Sequence, residues 1–248
     1  MNSKSLFTIA LLLAATLIPL QAGPKEDALA AAKRLTEKGY AWKTSSENAG
    51  GGGGGGGGRG GRRGFGASEG KIAADGTASV TVPGREANTE AVIKGDKFAI
   101  KRAEGWQNAA DLEANADQGG GGGRGRFGTM MFRNFKAPAA RAQDLLGQTK
   151  ELKAEEGVIS GELTEEGAKS LMAFGGRGGG GGPEINGAKG SVKLWIKDGV
   201  LLKMETKVQG KMSFNGNDID IDRTSTTEFK DVGTTQVTIP EEAKKKLS

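Results

Sequence analysis

Residues 190–208 read GSVKLWIKDGVLLKMETKV, and this stretch decides the fold. Apolar and polar residues alternate on both sides of Asp198-Gly199, a dipeptide that favours the two-residue turn of a β-hairpin. The pattern continues through KMSFNGNDIDIDRTSTTEF at 211–229, which predicts a second turn at Asn215-Gly216. TTQVTIP at 234–240 predicts a last strand before a short basic tail. The C-terminal third of the chain is therefore predicted to be an antiparallel sheet.

Three earlier segments have the pattern of amphipathic helices. Residues 24–38 (PKEDALAAAKRLTEK) place alanine and leucine on one helical face, with acidic residues in the first turn, basic residues in the last and Gly39 as a stop. Residues 137–147 (APAARAQDLLG) and 164–174 (TEEGAKSLMAF) each follow a proline or polar start signal. We therefore expect three helices, one before the first predicted strand and two before the C-terminal sheet.

Shorter alternating segments lie between these helices. The pattern predicts a strand at 40–47 and two hairpins at 70–82 and 90–102, and both hairpins turn at a dipeptide that contains glycine. Helices and antiparallel hairpins that follow one another in separate segments are typical of the α+β class. We predict an α+β fold.

The N-terminus has the order of a secretory signal peptide. Lys4 precedes an apolar run at 6–20, and the small residues Ala22 and Gly23 follow it. We predict that residues 1–22 are removed and that the mature chain is soluble and periplasmic or secreted. The chain contains no cysteine, so neither a disulfide nor a lipid-modified N-terminal cysteine is predicted.

Three low-complexity insertions interrupt the mature chain, at 50–66, 119–128 and 175–182. Glycine supplies 13 of 17, 7 of 10 and 7 of 8 of their residues. Ordering one backbone residue costs about 1–2 kcal/mol, so ordering the first insertion alone would cost as much as a domain's whole stability of about 5–15 kcal/mol. We predict that 23–248 form one domain with disordered glycine- and arginine-rich insertions.

The insertions also hold most of the positive charge. The formal net charge of the chain is +5, and it falls to −2 without Lys4 and the arginines of the insertions. Flexible arginines can contact anionic polymers, whereas nucleic acid is an improbable partner for an exported protein with a nearly neutral folded part. The predicted polyanion contacts are Arg59, Arg62, Arg63, Arg124, Arg126 and Arg177.

A longer pattern runs through the chain. GDKFAIKRAEGWQ comes first, then DLLGQTKELKAEEG and SGELTEEGAKSL, then the 190–208 hairpin and a closing TEFKDVGTTQVTIPEEA. This order, over about 24–245, resembles the LolA-like superfamily of periplasmic lipoprotein carriers and lipid-transfer lipoproteins. The resemblance implies a strongly curved antiparallel sheet, an incomplete β-barrel, with helices covering its concave apolar face. Relatives of the lipid-transfer type have a lipobox cysteine that this chain lacks, and the glycine insertions are foreign to the family pattern.

Enzymatic chemistry has little support in the sequence. GASEG at 66–70 matches the G-x-S-x-G nucleophile pattern at Ser68, and Ser68 with Lys71 matches S-x-x-K. The chain contains no histidine, so it offers no imidazole base for Ser68 and, without cysteine, none of the usual zinc ligands. We predict no catalytic residues, no metal and no cofactor.

One carboxylate cluster leaves an alternative open. Asp218, Asp220 and Asp222 alternate along a predicted strand, so their side chains share one face and could hold calcium. They could equally face solvent opposite lysines of the preceding strand, as cross-strand partners. Those lysines are Lys203, Lys207 and Lys211.

Two functional hypotheses remain. In the first, the protein is a carrier that shields a lipid or a lipoprotein acyl chain in an apolar cavity, because a curved sheet lined with aliphatic and methionine side chains suits acyl chains. The candidate cavity residues are Phe98, Ile100, Trp106, Leu145, Leu171, Met172, Leu194, Ile196, Met204 and Met212. In the second, the protein is a non-enzymatic envelope module whose Gly/Arg loops contact anionic polymers or partner proteins.

Overall fold

The structure is a computed structural model that describes residues 23–49, 67–84, 87–118, 131–172, 184–214 and 217–247. The predicted signal peptide, the bodies of the three insertions and the Asn215-Gly216 turn lie outside these ranges. The helices are α1 (Pro24–Lys38), α2 (Ala109–Gln118), α3 (Pro138–Gly147), α4 (Glu165–Met172) and α5 (Glu241–Leu247). The strands are β1 (Tyr40–Asn48), β2 (Ser68–Ile72), β3 (Ala78–Val82), β4 (Thr89–Lys94), β5 (Lys97–Arg102), β6 (Gly105–Asn108), β7 (Thr149–Glu155), β8 (Val158–Leu163), β9 (Glu184–Lys197), β10 (Val200–Phe214) and β11 (Asn217–Lys230).

All eleven strands form one antiparallel sheet in the order β6-β5-β4-β3-β2-β1-β11-β10-β9-β8-β7. Strands β1 to β6 and β7 to β11 are each paired with their neighbours in sequence, and the pairing of β1 with β11 joins the two halves. Strands β6 and β7 are the two edge strands and do not pair with each other, so the sheet is not closed. The predicted mixture of helices with an antiparallel, unclosed sheet is confirmed.

The 190–208 hairpin forms as its sequence predicts. Lys197 pairs with Val200, and the two residues between them, Asp198 and Gly199, have φ of 53° and 69°. Both values lie in the left-handed region that a type I′ turn requires, and glycine adopts this region at no steric cost. Within the predicted alternation, a β-bulge between Leu201 and Lys203 shifts the register of β10 against β9.

Helix α1 follows the predicted helix residue for residue. Pro24 lies in its first turn, and Gly39 ends it with φ of 73°. Proline is tolerated there because the first N–H groups of a helix have no intrahelical partner. The buried residues of α1 are Ala28, Ala31, Ala32 and Leu35.

The sheet is covered on both faces near β4 and β5. Ala91, Val92 and Ile93 are all buried, although neighbouring residues of a strand point to opposite faces. Ala91 and Ile93 belong to the main core described below, whereas Val92 packs with Ala99 of β5 against α5. We call the face of the main core the inner face, marked by Trp42, Met204 and Phe229, and the other the outer face.

The C-terminal prediction was wrong in one respect. Residues 235–240 form neither helix nor strand, and the basic tail forms α5 instead. Ile239 packs against the cluster of Val92 and Ala99, and Lys244 N–H donates to the carbonyl of Pro240 at 3.0 Å. Ile239 therefore buries its side chain under α5 rather than in a strand.

Candidate apolar binding site

The main core lies between the inner face of the sheet and helices α1 and α3. It is a single cluster of buried apolar residues drawn from nearly every element that faces it. From the helices come Ala28, Ala31, Ala32, Leu35, Leu112, Ala139, Ala142, Leu145 and Leu146. From the sheet come Tyr40, Trp42, Ala78, Val80, Ala91, Ile93, Phe98, Ile100, Ile159, Leu163, Val192, Leu194, Leu201, Met204 and Phe229.

Seven of the ten predicted cavity residues lie in or against this core. Five are buried in it, namely Phe98, Ile100, Leu145, Leu194 and Met204, and two pack against it, namely Leu171 and Ile196. The other three lie elsewhere. Trp106 packs on the outer face with α5, Met172 belongs to a separate cluster of α4 with Ala188 and Val208, and Met212 is buried further along β10.

A short segment of 131–135, here named the cover segment, closes the main core and was not predicted as part of the site. Phe132 is only 2 % exposed, and its ring centroid lies 6.4 Å from that of Phe98. The ring centroid of Phe135 lies 6.0 Å from that of Trp42. Outside the core, Arg133 forms an ion pair with Glu113 at 2.7 Å, and both side chains are more than half exposed. Met131 also packs against the main core, so the cover segment is attached mainly through three apolar side chains.

Aromatic rings continue from the cover segment into the sheet. The Tyr40 centroid lies 5.9 Å from that of Trp42 and 5.5 Å from that of Phe229. The Tyr40 hydroxyl accepts a hydrogen bond from the Ala139 N–H at 3.0 Å, in the first turn of α3. Burial raises the pKa of Tyr40, and the hydrogen bond from Ala139 opposes this increase. Tyr40 thereby fixes α3 over the sheet.

Ser68, the serine of the G-x-S-x-G match, lies at the start of β2. Its Oγ accepts a hydrogen bond from the indole N–H of Trp42 at 3.5 Å. Ser68 and Lys71 are three residues apart on one strand, so their side chains point to opposite faces. The S-x-x-K spacing therefore does not bring the lysine to the serine.

Two open depressions lie on the surface of the described residues. The first, about 400 Å³, is lined by Lys197, Asp198, Val200, Leu202, Phe229, Lys230, Asp231 and Val232. The second, about 360 Å³, is lined by Lys43, Thr44, Ser45, Ser46, Ala67, Ser68, Glu69, Thr81, Pro83 and Asn88. Neither is lined by any of the ten predicted cavity residues.

The three aspartates of β11 face lysines of β10. Lys207 lies 4.0 Å from Asp222, and Lys211 lies 3.6 Å from Asp218, as the cross-strand alternative predicts. The hydrogen bond from the Ser213 hydroxyl, more than the charge of Lys211, lowers the pKa of Asp218. The described ranges contain no group of three carboxylate, histidine or cysteine ligands placed to hold one metal ion.

Lys203 differs from the other two predicted lysines. It pairs across the strands with Glu228, and its ammonium lies 3.9 Å from the ring centroid of Trp195. This cation–π contact is on the outer face.

The six predicted polyanion arginines lie outside the described residues. The described chain ends at Ala49 before the first insertion, at Gln118 before the second and at Met172, two residues short of the third. The first follows Asn48 and Ala49, and Asn48 pairs with Arg223 of β11. The third follows the end of α4, where the Leu171 carbonyl accepts a hydrogen bond from Arg223. The last described residues before the first and third insertions therefore lie close to Arg223.

None of the helices within the described ranges combines the length and apolar character needed to cross a bilayer. No protein-family model and no curated protein sequence matches the chain.

Proposed function

We propose that the protein is an exported carrier or chaperone that shields a lipophilic ligand, a lipid or the acyl chain of a lipoprotein, on the inner face of its sheet. In this proposal the sheet is strongly curved, α1 and α3 cover its concave face, and the described structure is the ligand-free form. The observation that carries the proposal is the cover segment, whose Phe132 and Phe135 close the main core.

The cover segment can be displaced at modest cost. Strand pairing holds neither Phe132 nor Phe135, and the exposed pair of Arg133 with Glu113 contributes at most about 1 kcal/mol. Full burial of a phenylalanine is worth about 1.5–3 kcal/mol and a buried methylene about 0.8 kcal/mol. About four to eight methylenes of an acyl chain therefore offset the loss of both rings. Met131, which also packs against the main core, adds about two to four methylenes to that number.

The proposed cavity is the space that these rings would leave. Its walls would be seven of the predicted residues, which already lie in or against the main core: Phe98, Ile100, Leu145, Leu171, Leu194, Ile196 and Met204. Methionine and aliphatic side chains adapt to an acyl chain because they make no directional contacts. The sequence resemblance to the LolA-like superfamily supports the same ligand class.

The first test is native mass spectrometry of the protein purified from its own cell envelope. We expect a retained lipid of defined mass, and protein recovered without any bound lipid would count against the carrier. The second test is titration of the purified protein with a fluorescent fatty acid. We expect saturable binding that Met204→Glu abolishes, because a charge would enter the apolar space.

Because Met204→Glu risks unfolding the protein, Phe135→Ala provides a milder test. If Phe135 competes with the ligand, Phe135→Ala should bind the fluorescent fatty acid more tightly than the wild type. Leu202→Ala, which truncates a side chain that is 42 % exposed, is the matched control and should bind like the wild type. Equal binding by all three proteins would contradict the role of the cover segment.

A second candidate function follows from the positions of the insertions. We propose as the alternative an envelope module whose Arg59, Arg62, Arg63, Arg124, Arg126 and Arg177 contact anionic polymers or partner proteins. The described residues that precede two of the three insertions lie beside Arg223, which supports a common positively charged region. Heparin retention of the intact protein and of a variant with all three insertions shortened tests it, since six phosphate-like contacts give a log–log salt slope of at most about −5. Equal retention at every salt concentration would reject the alternative.

A further inference from the structure

The main core reaches the surface beside the β9–β10 turn, at the first of the two depressions. Phe229 belongs to the main core and also lines this depression, and Val200 and Val232, which line it as well, pack against the same core. The second depression shares no residue with the core. The volume of the first, about 400 Å³, lies within the roughly 300–1,000 Å³ that is usual for ligand pockets. The first depression is therefore an open pocket whose wall is partly the main core.

A row of aromatic rings links this depression to the cover segment. At their centroids, the Phe229 ring lies 5.5 Å from that of Tyr40, and the Tyr40 ring lies 5.9 Å from that of Trp42. The Trp42 ring lies 6.0 Å from that of Phe135 in the cover segment. Phe229 is 3 % exposed and stands at the end of the row where the depression begins. Movement of the Phe229 ring would therefore open the row to solvent.

The depression already offers apolar surface to a chain in water. Leu202, which lines it, is 42 % exposed and is the more exposed of the two large apolar side chains that the described residues leave open. The β-bulge between Leu201 and Lys203 leaves Leu202 without a register partner on β9, and this explains its exposure. An acyl chain therefore finds an apolar contact here before any core side chain moves.

The outside of the cover segment is polar instead. Arg133 and Asn134 are exposed there, and Arg133 pairs with Glu113. Lys136, the next residue after the segment, pairs with Asp144 of α3. A chain that entered between these groups would remove charged side chains from water, which costs free energy. The first depression is therefore the easier entrance to the same core.

Charged side chains surround the depression without filling it. Two Lys-Asp dipeptides, Lys197-Asp198 and Lys230-Asp231, contribute to its lining, and all four residues are exposed. Their charges cancel, so the rim neither attracts nor repels a ligand strongly by net charge. The polar head of an amphiphile can stay hydrated among these groups while its chain lies against the apolar wall.

We infer that the first depression is the mouth of the ligand site, through which the chain of a lipid or fatty acid passes Phe229 into the main core. This inference rests on the proposed function. The cover segment then yields to the chain from inside the core and is not the entrance. Leu202 borders the mouth and does not contact the bound chain, so Leu202→Ala leaves the equilibrium affinity unchanged.

The experiment blocks each surface in turn with the same small reagent. The chain contains no cysteine, so a single introduced cysteine is labelled alone. Lys197→Cys places N-phenylmaleimide at the mouth, and Arg133→Cys places it on the outside of the cover segment. Ile219→Cys is the matched control, because Ile219 is 37 % exposed near the start of β11, whereas Lys230 at the mouth is the last residue of that strand. Stopped-flow fluorescence measures association and dissociation of cis-parinarate, a fluorescent fatty acid.

We expect the label on Lys197→Cys to slow association and dissociation by about tenfold each, equivalent to about 1.4 kcal/mol on the activation free energy. The dissociation constant should stay within about twofold of the wild type, because both rates fall together. Labelled Lys230→Cys, which blocks the mouth from the β11 side, should behave alike. Both unlabelled variants separate the loss of the lysine from the block. Labels on Arg133→Cys and Ile219→Cys should leave both rates unchanged.

The outcomes separate this inference from the proposed function. Slower exchange with labelled Arg133→Cys, and with neither labelled lysine variant, would put the entrance at the cover segment, overturn the mouth and leave the carrier. Unchanged rates with every label would also overturn the mouth and leave the carrier. A label at the depression that weakens affinity without slowing association would show that the depression holds the ligand and is not its mouth. No binding of cis-parinarate to the unlabelled wild type would overturn the carrier and the mouth with it.

Discussion

The indole ring of Trp42 and the phenyl ring of Phe135 lie 6.0 Å apart at their centroids, with 31° between their planes. Trp42 belongs to the inner face of β1, and Phe135 ends the cover segment. Trp42 is 3 % exposed and Phe135 is half-buried, so the contact lies at the boundary between the core and solvent. The contact joins a residue of the sheet, which the pairing of strands fixes, to the cover segment, which lies outside the sheet.

The burial of Phe132 and Phe135 predicts how much each ring contributes to the free energy of unfolding. We expect Phe132→Ala to lower the free energy of unfolding by about 3–5 kcal/mol, because Phe132 is fully enclosed. Phe135→Ala should cost less, about 1–2 kcal/mol, because its ring keeps part of its surface in solvent. Urea denaturation measures both values, and Leu202→Ala, an exposed leucine, should stay within about 0.5 kcal/mol of the wild type. A Phe135→Ala loss as large as that of Phe132→Ala would show that the cover segment is part of a rigid core.

A pair of glycines predicts opposite effects of the same substitution. A Cβ on Gly70 would lie 2.5 Å from the Trp42 ring and 2.3 Å from the Ser79 carbonyl oxygen. We expect Gly70→Ala to destabilise the protein by about 1–3 kcal/mol, since backbone cannot move aside cheaply. Gly147, in the last turn of α3, has no atom within 4 Å of such a Cβ, so Gly147→Ala should be neutral or stabilise by up to about 1 kcal/mol. Thermal denaturation of the two variants checks the signs, and a stabilised Gly70→Ala would contradict the close packing of β2 on Trp42.

Local sequence predicts a hairpin well where the turn itself demands glycine. Gly76, Gly95 and Gly199 all have positive φ, and each lies in a turn that the sequence predicted. The hairpin of β7 and β8 was not predicted, although its turn at Glu156-Gly157 has the same left-handed geometry. Strand β7 is an edge strand that is mostly exposed on both faces, so its sequence, TKELKAE, has no apolar alternation to reveal it.

The candidate site was predicted only in part, because much of it depends on tertiary contacts. Apolar positions on hairpins and helices identified seven residues of the main core. Trp106 alternates in the same way, but only the packing of α5 shows that it faces outward. The cover segment has two phenylalanines three residues apart, and the first lies four residues after the end of a glycine tract; that spacing was the one local signal.

Helix α5 gives a prediction for the outer face. Ala243 is fully buried against Val92 and Ala99, and Lys246 forms an ion pair with Asp111 of α2 at 2.7 Å. We expect Ala243→Asp to release α5, because the carboxylate would be buried without a partner. Limited proteolysis with trypsin should then cleave at Lys244–Lys246 much faster than in the wild type. Glu242→Asp, an exposed substitution on the same helix that keeps the carboxylate and all three lysines, serves as the control. Unchanged cleavage of Ala243→Asp would contradict the docking of α5.

Tyr40 predicts how stability changes at alkaline pH. Its pKa is raised by burial, whereas in the unfolded chain the phenol ionises near its ordinary value of 10.0. Above pH 10 the folded state therefore keeps the Tyr40 proton, while the unfolded state loses it. The contribution of Tyr40 to the free energy of unfolding is thus full below pH 10 and falls as the pH rises beyond it. Tyr40→Phe should cost about 1 kcal/mol at pH 7, because the Ala139 N–H loses its acceptor, and should remove this part of the alkaline decline. Denaturation curves of both proteins at pH 8 to 11 measure the difference.

Tyr40 is the only tyrosine, so absorbance of tyrosinate reports it alone. We expect ionisation to coincide with unfolding, and a phenol that ionises near pH 10 in the folded protein would contradict its burial beneath α3.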